Sequence, residues 1–160
     1  MHLILISAAL MLAIMAQTVS GHHPPVAYGE ACVTQGFHNG HKAVDIGSYG
    51  AKRVNLYAIW EGTVVSTCNG AGDFNQNVCG SCGNSVEIRH NTVILLYCHL
   101  TSGSLTVSKG AKVARGQKIG LMGTSGHSTG VHVHIQVKEI SNGALVDMRP
   151  RLNLNGWKNC

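Results

Sequence analysis

Short apolar runs separated by glycine constrain this chain more than any other feature. Ala43-Val44-Asp45-Ile46, Thr63-Val64-Val65, Ser85-Val86-Glu87-Ile88, Thr92 to Tyr97 and Val131 to Val137 are rich in β-branched residues, and several alternate apolar with polar side chains. Period-two alternation sends one set of side chains to a buried face and the other to the opposite face, which is the pattern of strands. Twenty glycines, several of them beside Asn or Ser, supply turns between the runs. No stretch sustains a helical repeat beyond two turns. The expected fold is therefore all-β and mainly antiparallel, and 160 residues leave room for one domain.

The two ends carry different signals. Leu3 to Ala16 is almost unbroken apolar sequence. It is shorter than the roughly 20 residues that span a bilayer, but it fits the apolar core of a secretory signal. Only His2 stands where basic residues usually precede such a core. The expected organisation is a signal peptide over 1–20 and a mature, secreted domain over 21–160 without a membrane span. Gly21 to about Gly29, with His22, His23, Pro24 and Pro25, reads as a disordered lead-in.

All six cysteines follow the leader: Cys32, Cys68, Cys79, Cys82, Cys98 and Cys160. An even number behind an export signal reads as up to three disulfides formed in an oxidising, extracellular compartment. Their pairing is open at this level, although Cys160 is expected to pin the C-terminal tail. Cys79-x-x-Cys82 has the form of half a zinc ribbon, but a second CxxC at ribbon spacing is absent, which favours disulfides. Gly70 to Gly83, rich in Gly, Asn and Cys, reads as a long loop ordered by a local disulfide.

The formal charge is +5. That balance suits attraction to an anionic surface such as a bacterial wall. Nucleic acid is not an expected partner, because no basic run or aromatic platform accompanies the charge. Nothing in the sequence speaks to oligomeric state.

Histidines and one aspartate carry the chemistry. His132-Val133-His134 places two imidazoles on one strand face about 7 Å apart, with Val131, Val133, Ile135 and Val137 on the other. His41 and Asp45 also share a face if extended, but would then stand about 13 Å apart along the chain. One ion cannot bridge that distance, so the chain must turn between them. His99 closes the apolar run Leu95 to Leu100. Two His and one carboxylate suit Zn²⁺ with a coordination position left over, and further imidazoles suit proton transfer or oxyanion stabilisation. No HExxH and no recognisable Ser or Cys nucleophile motif is present.

These residues resemble the motifs of the M23 peptidases, the lysostaphin and LytM-like endopeptidases of peptidoglycan. His41 to Asp45 is similar to the family's HxxxD, Tyr97-Cys98-His99-Leu100 to its Tyr-x-His-Leu, and Gly126 to His134 to its glycine-rich HxH signature. The likeness runs from about Gln35 to Val137. It implies that His41, Asp45 and His134 bind one Zn²⁺ per chain and that His99 and His132 are catalytic. It implies a two-sheet fold whose long loops surround a groove for an extended peptide, and a hydrolase acting on peptide bonds of bacterial peptidoglycan, in a wall-lytic, antibacterial or digestive role.

Departures from the pattern are Ala43, where the family usually has glycine, the cysteine content, and Cys98 inside the Tyr-x-His-Leu motif. The size, cysteines and leader also resemble leukocyte-derived chemotaxin-2, a zinc-binding signalling protein on the same scaffold that lacks the catalytic pair. His99 and His132 favour the enzyme over that alternative. Of the remaining histidines, His90 reads as a hairpin residue, while His38 and His127 lie near enough in sequence to line a cleft. Tyr57 and Trp60 read as packing residues.

Overall fold

The computed structural model describes residues 21–152 and 159–160. The expected signal peptide, 1–20, lies outside the described residues. In chain order the strands are β1 (Ala31–Gln35), β2 (Val44–Ser48), β3 (Asn55–Tyr57), β4 (Gly62–Cys68), β5 (Asn84–Arg89), β6 (Val93–Leu100), β7 (Lys112–Val113), β8 (Lys118–Leu121), β9 (His132–Glu139) and β10 (Leu145–Val146). A short 3-10 turn (Tyr49–Ala51) follows β2, and one helical turn, α1 (Arg149–Leu152), follows β10. Among the described residues no helix is long and apolar enough to cross a membrane.

Two antiparallel sheets result: the alternation predicts antiparallel strands, and the resemblance implies their division into two sheets. The larger has the order β1-β2-β9-β6-β5-β4-β7, with β10 also pairing β9, and the smaller pairs β3 with β8. Period-two alternation sorts the large sheet's side chains. Val44, Ile46, Val86, Ile88, Leu95, Tyr97, Val133, Ile135 and Val137 are buried on one face. They join Leu56, Ile59, Ile119 and Met122, from β3, β8 and the segments beside them, in a single core. Each such side chain removed from water contributes roughly 1.5–3 kcal/mol. Tyr97 Oη crosses this core to accept a hydrogen bond from the Ile59 amide at 3.2 Å. Full burial pushes the Tyr97 phenol well above its usual range, so it remains a neutral strut.

The other face of β2, β9 and β6 carries Asp45, His132, His134, Leu96 and Cys98, and it lies open to a cleft. Three disulfides tie the loops and tail to this frame: Cys32–Cys160, Cys68–Cys79 and Cys82–Cys98. The first pins the tail to β1, as expected, where the Cys160 amide donates to the Val33 carbonyl at 3.1 Å. Cys79 and Cys82 form disulfides with other partners rather than with each other. The 69–83 loop is closed by its own disulfide, as its composition implies.

One expectation is overturned. The segment 21–29 is not a disordered lead-in. The His23 amide donates to the Ile59 carbonyl, the Tyr57 amide donates to the Pro25 carbonyl, and Val26 is fully buried. The segment is irregular because Pro24 and Pro25 have no N–H to give a ladder, yet the His23 amide and the Pro25 carbonyl find partners in the 57–59 segment.

Candidate metal centre and cleft

Register brings the acidic and basic ligand types together. Asp45 on β2 pairs directly with His134 on β9, and His134 pairs with Cys98 on β6, so the three side chains form one row on the open face. His134 Nδ1 lies 2.8 Å from Asp45 Oδ1. His41 precedes β2, in a tight turn where His38 and His41 exchange backbone hydrogen bonds. The chain then bends at Ala43, between that turn and β2, and His41 Nε2 comes to 3.2 Å from Asp45 Oδ2.

Hydrogen bonding then sets which nitrogen of each ring is free. His41 Nδ1–H donates to the Gly36 carbonyl at 3.1 Å, which leaves Nε2 with its lone pair. This Nε2 is buried and its approach to Asp45 lacks hydrogen-bond geometry, so it has no hydrogen-bond partner. A buried ring nitrogen with a bare lone pair, beside a carboxylate and a third imidazole, is the donor set a cation completes. Atoms of His41, Asp45 and His134 all lie within 4.8 Å of one another. Ligands at about 2.0–2.2 Å from a tetrahedral zinc stand roughly 3.3 Å apart, so small side-chain shifts close the set. The residues present fit the ion.

Two further imidazoles stand beside this triad. His132 Nδ1–H donates to the Gly130 carbonyl at 2.8 Å, and its Nε2 lies 4.0 Å from Asp45 Oδ2. His99 Nδ1–H donates to the Ser125 carbonyl at 2.7 Å. The His99 ring stands 4.7 Å from the His132 ring and 5.9 Å from that of His134, centre to centre. Both therefore keep Nε2 as an acceptor. His99 is only 5% exposed. Burial, aided by the neighbouring His132 and His134, depresses its pKa to about 4 against the opposing pull of the Ser125 carbonyl and Asp45. For Asp45, burial alone would raise the pKa, but the hydrogen bond from His134 and the charges of His134, His132 and His41 outweigh it and hold the carboxyl below its usual range.

His99 reaches the cleft through a local irregularity. Asn84 pairs with Leu100 and Val86 with Tyr97, so a single β5 residue faces both Cys98 and His99. Such a bulge re-aims a side chain. His99 has φ +65°, a left-handed backbone that few non-glycine residues adopt. Simple alternation would have sent it into the core with Leu95 and Tyr97.

A cavity of about 430 Å³ is lined by His41, Asp45, His99, His132 and His134, with Ser81, His127, Ser128 and Thr129 around them. A second hollow of about 310 Å³ shares Gln35, Asp45, Thr129 and His132 with it and adds Thr34 and Gly130. The two hollows adjoin over those four shared residues. His127 is thus in the cleft wall, with Nδ1 3.3 Å from Gln76 Nε2. His38 is exposed beside His41 but is not part of the cavity lining. His90 sits at the β5–β6 hairpin, its Nδ1 2.6 Å from the Glu61 carbonyl, remote from the groove in register.

Sequence reading missed the support behind the histidines. Ser125 holds His99 through its carbonyl, donates its hydroxyl to the Leu100 carbonyl at 2.8 Å and accepts from the Asn84 amide at 2.9 Å. Asn84, fully buried, donates to the carbonyls of Ala71 and Leu100 and accepts from the Ala71 amide. The available signal was an Asn at the start of an apolar strand, a residue type that strands rarely keep without a hydrogen-bonding role.

Comparison with known proteins places these features in context. Residues 39–148 match the family model described as "Peptidase family M23". The chain is 48% identical over 56 residues to the peptidoglycan DD-endopeptidase ShyA of Vibrio cholerae, a match covering 34% of this chain and 13% of that protein. The chain thus spans about an eighth of that relative's length. Among solved structures, a zinc containing peptidase from Vibrio cholerae aligns with a TM-score of 0.60 and 28% identity, over 77% of this chain and 37% of that one. The catalytic domain of the antimicrobial peptidase lysostaphin from Staphylococcus simulans aligns with a TM-score of 0.54 and 29% identity, over 79% and 90%.

Proposed function

The chain belongs to peptidase family M23, and from that premise we propose that it is a secreted zinc metalloendopeptidase that hydrolyses peptide bonds of bacterial peptidoglycan. The observation that carries this reading is the convergence of His41 Nε2, the Asp45 carboxylate and His134 Nδ1 on one point of an open groove. His41, Asp45 and His134 hold the ion, and His99 and His132 act on the substrate. The disulfides, the apolar leader and the excess of positive charge support export towards an anionic wall.

When bound, zinc supplies Lewis-acid polarisation of the scissile carbonyl and a lowered water pKa. The protein does the rest. The groove receives an extended peptide along the sheet. Backbone carbonyls of Ser125 and Gly130 fix the His99 and His132 rings so that each Nε2 is a hydrogen-bond acceptor. These nitrogens orient the attacking water and take up its proton, and the resulting N–H donates to the leaving amine.

Incubation with purified walls and mass spectrometry of the released peptides tests the reading: new amino termini should appear, and a chelator should suppress them. The non-proteolytic signalling alternative is not favoured, because both His99 and His132 line the cleft. One zinc per chain with intact wall peptides after prolonged incubation would reverse that preference.

A further inference from the structure

We propose that the Cys82–Cys98 disulfide is a positioning element for His99, an inference that deepens the functional reading above and rests on it. Cys98 stands in the same cross-strand row as Asp45 and His134, and both Cys82 and Cys98 line the cavity. The disulfide is therefore set into the cleft floor and wall.

His99 follows Cys98 directly and must hold a left-handed backbone, φ +65°, to leave the core face. For a residue with a side chain that conformation is strained, and it persists only where the surroundings impose it. Two links impose it here. The covalent link joins Cys98 to Cys82. The second is a hydrogen bond from the His99 amide to the Cys82 carbonyl at 2.8 Å. Both reach the same residue of the 79–83 segment, one from each side of the Cys98–His99 peptide.

That segment is also fastened to the other support of His99. The His127 amide donates to the Ser81 carbonyl at 2.8 Å, and the Asn84 amide donates to Ser125 Oγ at 2.9 Å. Gly83 and Gly126 cross so closely that a Cβ on either would collide with the other's backbone. Cys82 thus couples the backbone of His99 to the Ser125–His127 strip whose carbonyl holds its ring. With the disulfide removed, the bulge can relax, His99 can return towards ordinary strand alternation, and the ring loses its fixed tautomer. Cys68–Cys79 provides a built-in comparison. It closes a loop of similar length, with sequence separation 11 against 16, so it constrains the unfolded chain to a similar degree, but neither of its cysteines lines the cavity, and its nearest approach to the His99 support is Cys79 Sγ at 4.0 Å from Asn84 Oδ1.

The test pairs Cys82→Ala/Cys98→Ala with Cys68→Ala/Cys79→Ala. In zinc-free protein, long-range ¹H–¹⁵N correlation of the imidazoles should show His99 locked as the Nδ1–H tautomer in the wild type and in the Cys68/Cys79 pair. In the Cys82/Cys98 pair it should show a mixture. On a wall peptide, the Cys82/Cys98 pair should lose about 100-fold in kcat with KM and zinc content retained, the scale expected for displacement of a reacting group by about an ångström. The Cys68/Cys79 pair should keep kcat. A locked His99 with wild-type kcat in the Cys82/Cys98 pair, or equal losses in both pairs, would overturn the proposal. If the alanine pair does not fold, Cys82→Ala/Cys98→Val restores buried volume and decides the matter by the same two readouts. Should the wild type cleave no wall peptide, the functional reading fails, and the tautomer comparison still decides whether the disulfide positions the ring.

Discussion

Asp45 and His134 face each other across β2 and β9 in direct register, with 2.8 Å between Oδ1 and Nδ1, although 89 positions separate them in the chain. The carboxylate's second oxygen faces His41 Nε2 at 3.2 Å. One carboxylate therefore sets the spacing of both imidazoles. Asp45→Asn keeps the shape but removes the charge. Competition with a chromophoric chelator should show zinc affinity reduced by at least about 100-fold, with the β circular dichroism retained. Unchanged affinity would mean that the ion, if any, sits elsewhere.

His99 should separate chemistry from metal binding. Its ring lines the cleft and is held by Ser125, but it is not one of the three side chains proposed to hold the ion. His99→Ala should lower wall-peptide cleavage by about 10²–10⁴-fold while one zinc per chain remains. Cleavage at the wild-type rate would remove His99 from the mechanism.

Most of the large sheet was legible because its strands alternate over five or more residues: the runs around Val44, Val64, Val86, Leu95 and Val133 all became strands. The two-residue strands β7 and β10 and the three-residue β3 were not, because two or three residues carry no period; pairing with longer neighbours makes them strands. The residue types of the proposed metal triad were visible in the sequence, but spacing alone did not separate His132 from His134, and the choice of His41, Asp45 and His134 came from the resemblance; the side chains of those three lie together in the fold. The placement of His99 was harder. Alternation points it into the core, and only the bulge opposite β5, an interaction with a distant segment, turns it out. The packing of Val26 and the two prolines against 57–59 was invisible for the same reason: a segment without a period is ordered by what it lands on.

Buried histidines should make the zinc-free fold sensitive to acid. Burial is the largest influence on His90 and lowers its pKa, against the hydrogen bond to the Glu61 carbonyl. His99 is depressed further, to about 4. A histidine harder to protonate when folded leaves the unfolded chain binding more protons below its ordinary value of about 6.5. Its contribution is complete above that value and declines as pH falls towards the folded pKa. Urea midpoints should therefore decrease from pH 7 to pH 5. His90→Gln, which retains an N–H for Glu61 but does not titrate, should show a shallower decline, and an identical slope would contradict the assignment.

Gly80 and Gly83 share φ +64° but differ in surroundings, which makes them a matched pair for testing the buttress behind His99. A Cβ on Gly80 meets nothing within 4 Å, whereas one on Gly83 would lie 2.4 Å from the Ser125 carbonyl carbon and 2.6 Å from the Gly126 nitrogen. Gly80→Ala should destabilise by about 1–2 kcal/mol, the expense of the left-handed backbone alone. Gly83→Ala adds a collision with backbone that has no free rotor to move, so its loss should be larger by several kcal/mol. Because the displaced strip is the one whose carbonyl holds His99, Gly83→Ala should also reduce kcat in whatever fraction remains folded, while Gly80→Ala should not. Equal urea midpoints for the two variants would show that the 79–83 and 124–127 segments are not in firm contact.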